Sequence, residues 1–234
     1  MRQRKAKDME ARLESCSDFM VKDPSPEEWE RCFRGEASAD GRGAHRKLYL
    51  EIGCGKGQFI IQKAMADPAG DYIAIEGQET VMLRALEKTA AACGREIKND
   101  KISISDEKKA IPNLKFACTF ANDMAALFHE GQLAGIYLNF SDPWPKARHA
   151  KRRLTYRKRL LEYAWVLEDG GFIEIKTDND GLFEFTLEEI AETPFKTVEM
   201  TRDLHSSQYD SRNFVTEYEE KFSSTGKTIH YVKG

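Results

Sequence analysis

From residue 48 onward, short apolar runs alternate with stretches of helical spacing. LYLEI (48–52) opens this pattern and predicts a buried strand running into a glycine cluster, with a helix over 59–66 behind it. DYIAIE (71–76) predicts a second strand, and 80–93 a second helix with Val81, Leu83 and Leu86 at apolar positions. LKFACT (114–119), GIYLNF (135–140) and 172–176 predict the third, fourth and fifth strands, with helical segments over 124–128, 157–167 and 180–192. Gly170-Gly171 stands as a break before the fifth strand, and two further strands are expected around 195–201 and 228–233. Strands that alternate with helices imply a parallel sheet with right-handed crossovers. No internal repeat is present.

The segment before residue 48 has a different grammar. Residues 1–20 are expected to form a mobile, mixed-charge arm with some helical character, 23–26 (DPSP) a turn, 27–33 a short helix and 35–44 a Gly/Ser/Ala-rich loop. Residues 94–113 are polar, with Gly94 and Asn99-Asp100 as breakers, and are expected to form a long loop or insertion. The organisation read from this is an arm with short helices over 1–47 and one α/β domain over 48–234.

Composition narrows the class. At 234 residues, 41% apolar and 32% charged, the chain has the length and balance of one soluble globular domain. No run approaches the roughly 18 apolar residues of a membrane span. The opening MRQRKAKDMEARLES lacks an apolar signal core, so a cytoplasmic protein is expected. Cys16, Cys32, Cys54, Cys93 and Cys118 form no C-x-x-C pair and read as reduced thiols, neither a disulfide nor a zinc framework. No metal site and no Ser-His-Asp set is apparent. Net charge is −3, but eight Lys or Arg and no acid lie between Lys146 and Arg159. Such a patch would aim an anionic ligand at one face, although a solvated helix surface explains a run like this as well.

Chemistry concentrates at two strand exits. Glu51-Ile52-Gly53-Cys54-Gly55-Lys56-Gly57 lies where the first strand becomes the first helix, and glycines there permit tight turning and close ligand approach. The dinucleotide fingerprint G-x-G-x-x-G fails because its last glycine would fall at Gln58. Glu76 ends the second strand, where a carboxylate would hold a ribose diol, and Glu51 lies toward the amino-acid end of such a ligand. A nucleoside sulfonium donor, S-adenosylmethionine, is favoured over a nicotinamide dinucleotide. The second exit reads Asn139-Phe140-Ser141-Asp142-Pro143-Trp144-Pro145-Lys146: two prolines fix the backbone around an acid, and the basic run follows at once.

These residues resemble the bacterial tRNA (guanine-N7-)-methyltransferase family. NFSDPWPKARHAKRRLTY (139–156) carries the resemblance most specifically, joined in order by YLEIGCGKGQF (49–59), IKTDNDGLFEF (175–185) and TEYEEKF (216–222). The resemblance spans about 48–234. It implies a class I methyltransferase fold, a Rossmann-like three-layer α/β sandwich whose mostly parallel seven-stranded sheet has one antiparallel strand. It also implies methyl transfer from S-adenosylmethionine to N7 of a variable-loop guanine, position 46, in tRNA.

By position, the resemblance implies that Glu51, Gly53, Gly55, Gly57 and Glu76 contact the donor and that Asp142 is the catalytic aspartate near donor and base. Lys146, Asp178, Thr216, Glu217, Tyr218 and Glu219 match substrate positions, and Arg148, His149, Lys151, Arg152 and Arg153 match an RNA-contacting segment. The Asp or Asn expected after the third strand is Asn122 or Asp123, the register leaving both open. The 94–113 segment is longer than the family's link, and its lysines at 98, 101, 108 and 109 read either as RNA contacts or as a solvated insertion. Asp142 and Glu219 are expected to accept hydrogen bonds from guanine, with Asp178 holding the base or its loop. Trp144 is either a wall for the base or a packing residue. A metabolite methyltransferase would share the donor turn but not the acid-free basic run, and a non-catalytic RNA module would share the run but not the turn. Monomer and homodimer both remain open.

Overall fold

The computed structural model describes residues 8–34, 46–98, 101–104, 111–223 and 226–234. The chain divides into two compact units, 1–122 and 123–234.

In the first unit, α1 (Met9–Glu14), a 3-10 turn (Ser17–Phe19) and α2 (Pro26–Arg34) precede β1 (Leu48–Ile52), α3 (Gln58–Ala66), β2 (Asp71–Ile75) and α4 (Glu79–Ala92). A hairpin of β3 (Arg95–Lys98) and β4 (Lys101–Ile104) leads to β5 (Leu114–Ala117). The sheet strands of this unit lie in the order β5-β2-β1, all parallel. All five positions of β2 are buried, as in a strand covered on both faces, which explains its continuous apolar run. Pairing places Ile52 beside Ile75 and Ile75 beside Ala117. The glycine turn, Glu76 and the segment after Ala117 therefore leave the sheet at one edge, the carboxyl end where open α/β sheets bind ligands.

Two segments differ from expectation. The hairpin replaces part of the long loop anticipated over 94–113; its KISI strand has a two-residue apolar period that a polar setting conceals. Lys108 and Lys109 lie outside the described residues, as do 1–7 and the loop 35–44. Residues 8–34 pack firmly into the first unit, because Met9, Cys16, Phe19, Val21 and Trp29 are buried. Arg12 Nε donates to Glu87 at 2.8 Å, and Val21 N–H to the Phe116 carbonyl at 2.8 Å, which covers the open edge of β5.

The second unit runs α5 (Met124–Leu127), β6 (Leu133–Asn139), a 3-10 turn (Ala147–Arg152), α6 (Arg157–Val166), β7 (Leu167–Thr177), α7 (Asp180–Ala191), β8 (Glu199–Thr201), a 3-10 turn (Asp210–Arg212), α8 (Glu217–Ser223) and β9 (His230–Lys233). Its strands lie in the order β6-β7-β9-β8, with β9 antiparallel to both neighbours. Counted over the chain, the seven strands make a mostly parallel sheet with one reversed strand. β7 begins at Leu167, five residues before the expected start. Gly170-Gly171 lie within it: the register jumps from Leu133–Leu167 to Gly135–Phe172, and Gly170 takes φ 78° there.

Candidate active site

In the first unit the candidate site is a glycine cradle. Gly53, Gly55 and Gly57 have φ of 75°, 57° and 80°, a region that L side chains enter only with strain. A Cβ on Gly53 or Gly55 would meet no atom within 4 Å, so the turn borders open space. Gly57 is different. Its Cβ would stand 3.0 Å from Ala85 Cβ, so its smallness serves the packing of α3 against α4. Gly53 and Cys54 N–H both donate to the Ile75 carbonyl, at 2.8 and 3.1 Å, tying the turn to β2. Glu76 accepts from Gly55 N–H at 3.2 Å and from Gln78 N–H at 3.0 Å, leaving lone pairs for two further donors. Glu51 is buried within β1.

Asn122 and Asp123 are both exposed. Asp123 caps α5, its carboxylate accepting from Ala126 N–H at 3.2 Å. Phe120, which sequence reasoning passed over, is 64% exposed, and its ring lies so close over Gly77 that a Cβ there would clash. An apolar residue in a polar strand exit was the available signal.

In the second unit, β6 ends at Asn139 beside Lys176 of β7, and Phe140 N–H donates to the Lys176 carbonyl at 2.8 Å. The chain then reverses sharply, with Phe140 at φ 52° and Trp144 at φ 41°. Between them Asp142 is exposed, with no hydrogen-bond or ion-pair partner among the described residues. Trp144 is half-buried, its ring flanked by the Arg152 guanidinium at 4.9 Å and the edge of His149 at 5.8 Å.

The basic run splits in two. Lys146, Arg148, Lys151 and Arg152 are exposed and have no acidic partner among the described residues. Arg157 lies 3.6 Å from Glu189 and 3.4 Å from Glu192, while Lys158 and Arg159 share Glu162 at 3.8 and 3.7 Å. Arg153 is turned inward: Nε donates to the Pro143 carbonyl at 2.9 Å and a terminal nitrogen to the Trp144 carbonyl at 3.1 Å. The RNA contact expected at Arg153 therefore meets a guanidinium already engaged by its own loop.

Asp178 follows the last residue of β7, and its carboxylate accepts from Tyr218 at 3.2 Å and Lys227 at 2.6 Å. Burial, and then the Asp178 carboxylate, push the Tyr218 phenol up from its ordinary value. The Tyr218 ring packs on Phe140 at 4.8 Å and on Phe222 at 4.2 Å. Thr216 and Glu219 form a capping box at the start of α8: Thr216 Oγ1 accepts from Glu219 N–H at 3.0 Å, and Glu219 Oε2 from Thr216 N–H at 3.3 Å. Glu217, between them, is half-buried. Glu219 is wholly buried and also accepts from Lys176 at 2.8 Å and Asn213 at 2.5 Å, with His205 Nε2 3.3 Å away. Glu219 thus carries three internal donors and has no exposed side-chain surface. Lys176, which the sequence reading missed, also donates to Asn213 and to the Phe214 carbonyl, both at 2.9 Å. A lysine inside the run IEIKT was its signal, since a charge in a buried strand demands a partner.

Among the described residues no cluster of His, Cys, Asp and Glu is arranged to hold a metal ion, and no helix is long and apolar enough to cross a membrane.

Residues 45–232 match a family described as "Putative methyltransferase". A tRNA (guanine-N(7)-)-methyltransferase of Brevibacillus brevis is 44% identical over 191 residues, covering 82% of this chain and 81% of its own length. Its namesake from Mesoplasma florum is 45% identical over 185 residues, 78% of each chain. Among solved structures, an antibiotic-related methyltransferase overlays with TM-score 0.60 at 16% identity, covering 91% of this chain and 94% of its own. The 16S rRNA methyltransferase KamB overlays with TM-score 0.59 at 14% identity, covering 90% and 93%. At such identities the structural likeness concerns the fold.

Proposed function

The chain belongs to the tRNA (guanine-N7-)-methyltransferase family and has the class I methyltransferase fold, and from that premise we infer that it transfers a methyl group from S-adenosylmethionine to N7 of a variable-loop guanine in tRNA, in the cytoplasm. One observation supports this most: an exposed carboxylate on a fixed turn, Asp142, runs directly into four exposed cations without acidic partners among the described residues. A small-metabolite enzyme has no use for that arrangement, whereas a polyanionic substrate does.

The donor fits the cradle. Open space over Gly53 and Gly55 admits a ligand against the backbone, and Glu76 has acceptor capacity for a ribose diol. Glu51 supplies negative charge near the amino-acid end. After β5 the donor contact falls to Asn122 or to Asp123, whose cap on α5 uses one of its acceptor sites. When bound, S-adenosylmethionine supplies a methyl group made electrophilic by its sulfonium.

Guanine N7 carries an in-plane lone pair, so no proton must leave before attack and no strong base is needed. The protein's task is alignment and stabilisation of the positive charge that arrives on the purine. Asp142 provides a carboxylate for that charge and an acceptor for guanine N–H groups. Asp178, with Tyr218 beside it, bounds the base, and Glu219 acts from inside by holding Thr216 and Tyr218 in place. Lys146, Arg148, Lys151 and Arg152 grip phosphates and carry no base information. The base must leave its stack to reach the site.

The test mixes labelled S-adenosylmethionine with an unmodified tRNA transcript and with one whose variable-loop guanine is adenine. Label is expected only in the first, recovered as 7-methylguanosine, and Asp142→Ala should slow transfer by roughly 10²-fold or more at saturating substrates. Equal labelling of both transcripts would remove the assigned target. Wild-type turnover by the Asp142 variant would remove the assigned catalytic residue.

A further inference from the structure

The last arginine of the basic run behaves unlike its neighbours. Arg153 follows the 3-10 turn Ala147–Arg152, and its own N–H closes onto the Ala150 carbonyl at 3.0 Å. Its guanidinium points back along the chain to the carbonyls of Pro143 and Trp144, at 2.9 and 3.1 Å. The guanidinium carbon sits 4.2 Å from the centre of the Phe185 ring on α7. Two carbonyls one residue apart suit the planar fork of arginine, and its face stacks on an aromatic ring while its edge donates. The carbonyls it holds flank the left-handed Trp144, whose φ of 41° needs surrounding contacts to persist. They also belong to the turn that carries Asp142, one residue before Pro143.

We propose that Arg153 is a positioning residue of the active site: it clamps the Asp142–Pro145 turn onto α7 and is not a phosphate contact. The inference rests on the reading of Asp142 given above. It divides the cations by role. Lys146, Arg148, Lys151 and Arg152 face solvent and serve the polyanion, while Arg153 sets the angle at which Asp142 meets the reacting base. A lysine at 153 would keep the charge but lose the fork and the stacked face.

The experiment compares Arg153→Lys, Arg153→Ala and Phe185→Leu with wild type. It measures tRNA affinity across a salt series, donor affinity by calorimetry, and turnover at saturating tRNA and donor. A displaced turn should cost Arg153→Lys on the order of 10²-fold in kcat, while tRNA Kd, its salt slope and donor Kd stay within about twofold of wild type. Phe185→Leu, which keeps the fork but removes the face it stacks on, should lose kcat in the same direction by a smaller factor. A phosphate role makes the opposite forecast: Arg153→Lys retains kcat, and Arg153→Ala flattens the salt slope by about one. That result would overturn the proposal. Loss of cooperative melting in both Arg153→Lys and Phe185→Leu would overturn it too, since the contact would then be a stability element. A wild-type protein that methylates no tRNA would instead count against the proposed function, a failure distinct from an active wild type matched by its Arg153→Lys variant.

Discussion

Lysine and glutamate are among the residues least often buried, yet Lys176 and Glu219 keep 2% and 0% of their side-chain surface exposed. Each is tolerated because the other, with Asn213, the Phe214 carbonyl and Thr216, satisfies it. Such a pair adds little net stability over apolar residues of similar size, but removing one member leaves a charge stranded. Lys176→Met should therefore lower stability by about 3–5 kcal/mol, a fall in Tm on the order of 10 °C for a chain of this size. Lys176→Met combined with Glu219→Gln should recover most of that loss, because glutamine retains the capping geometry. Thermal melts of the single and double variants check this, and a double variant no more stable than Lys176→Met would show that the charges are not coupled. What the pair contributes beyond stability is placement, since the segment it anchors carries Tyr218 to Asp178.

Among the elements, the β1–α3 turn shows how three similar glycines do two different jobs. At Gly55 an added methyl meets open space, so its cost is backbone strain of roughly 1–2 kcal/mol and obstruction of the donor. At Gly57 the same methyl presses on Ala85, and the cost falls on the packing of α3 against α4. Gly55→Ala should weaken donor binding by tenfold or more with a modest loss in Tm. Gly57→Ala should lower Tm further and affect the donor less. Calorimetric titration beside thermal melts would check the split; equal effects on both quantities would contradict it. The glycine spacing alone did not separate these roles, because they depend on what lies across the turn.

For the molecule as a whole, a net charge of −3 conceals a local field of the opposite sign. Half of the basic run has partners within the protein: Arg157, Lys158 and Arg159 lie beside Glu162, Glu189 and Glu192, and Arg153 donates to loop carbonyls. Arg148→Ala, Lys151→Ala and Arg152→Ala should each flatten the dependence of log K on log salt for tRNA binding by about one and weaken binding evenly across tRNAs. Lys158→Ala, whose lysine lies beside Glu162, should leave the slope unchanged. A filter-binding series from low to moderate salt reads this directly, and a uniform effect of all four substitutions would refute the division.

The alternation of strands and helices, the glycine turn after β1 and the sharp turn around Asp142 were legible in the chain, because each rests on local rules: strand periodicity, glycine conformations, and prolines that fix the backbone. The 95–104 hairpin and the early start of β7 were not, since their pairing gains come from distant partners that outweigh a weak local pattern. The roles of Glu219, Asp123 and Arg153 likewise emerged only in three dimensions. A side chain's type states what bond it is able to make, but the backbone's path decides which partner stands within 3 Å. Carboxylates and guanidiniums of identical chemistry were thereby divided between side chains that face solvent, such as Asp142 and Arg152, and side chains held inside the fold, such as Glu219 and Arg153.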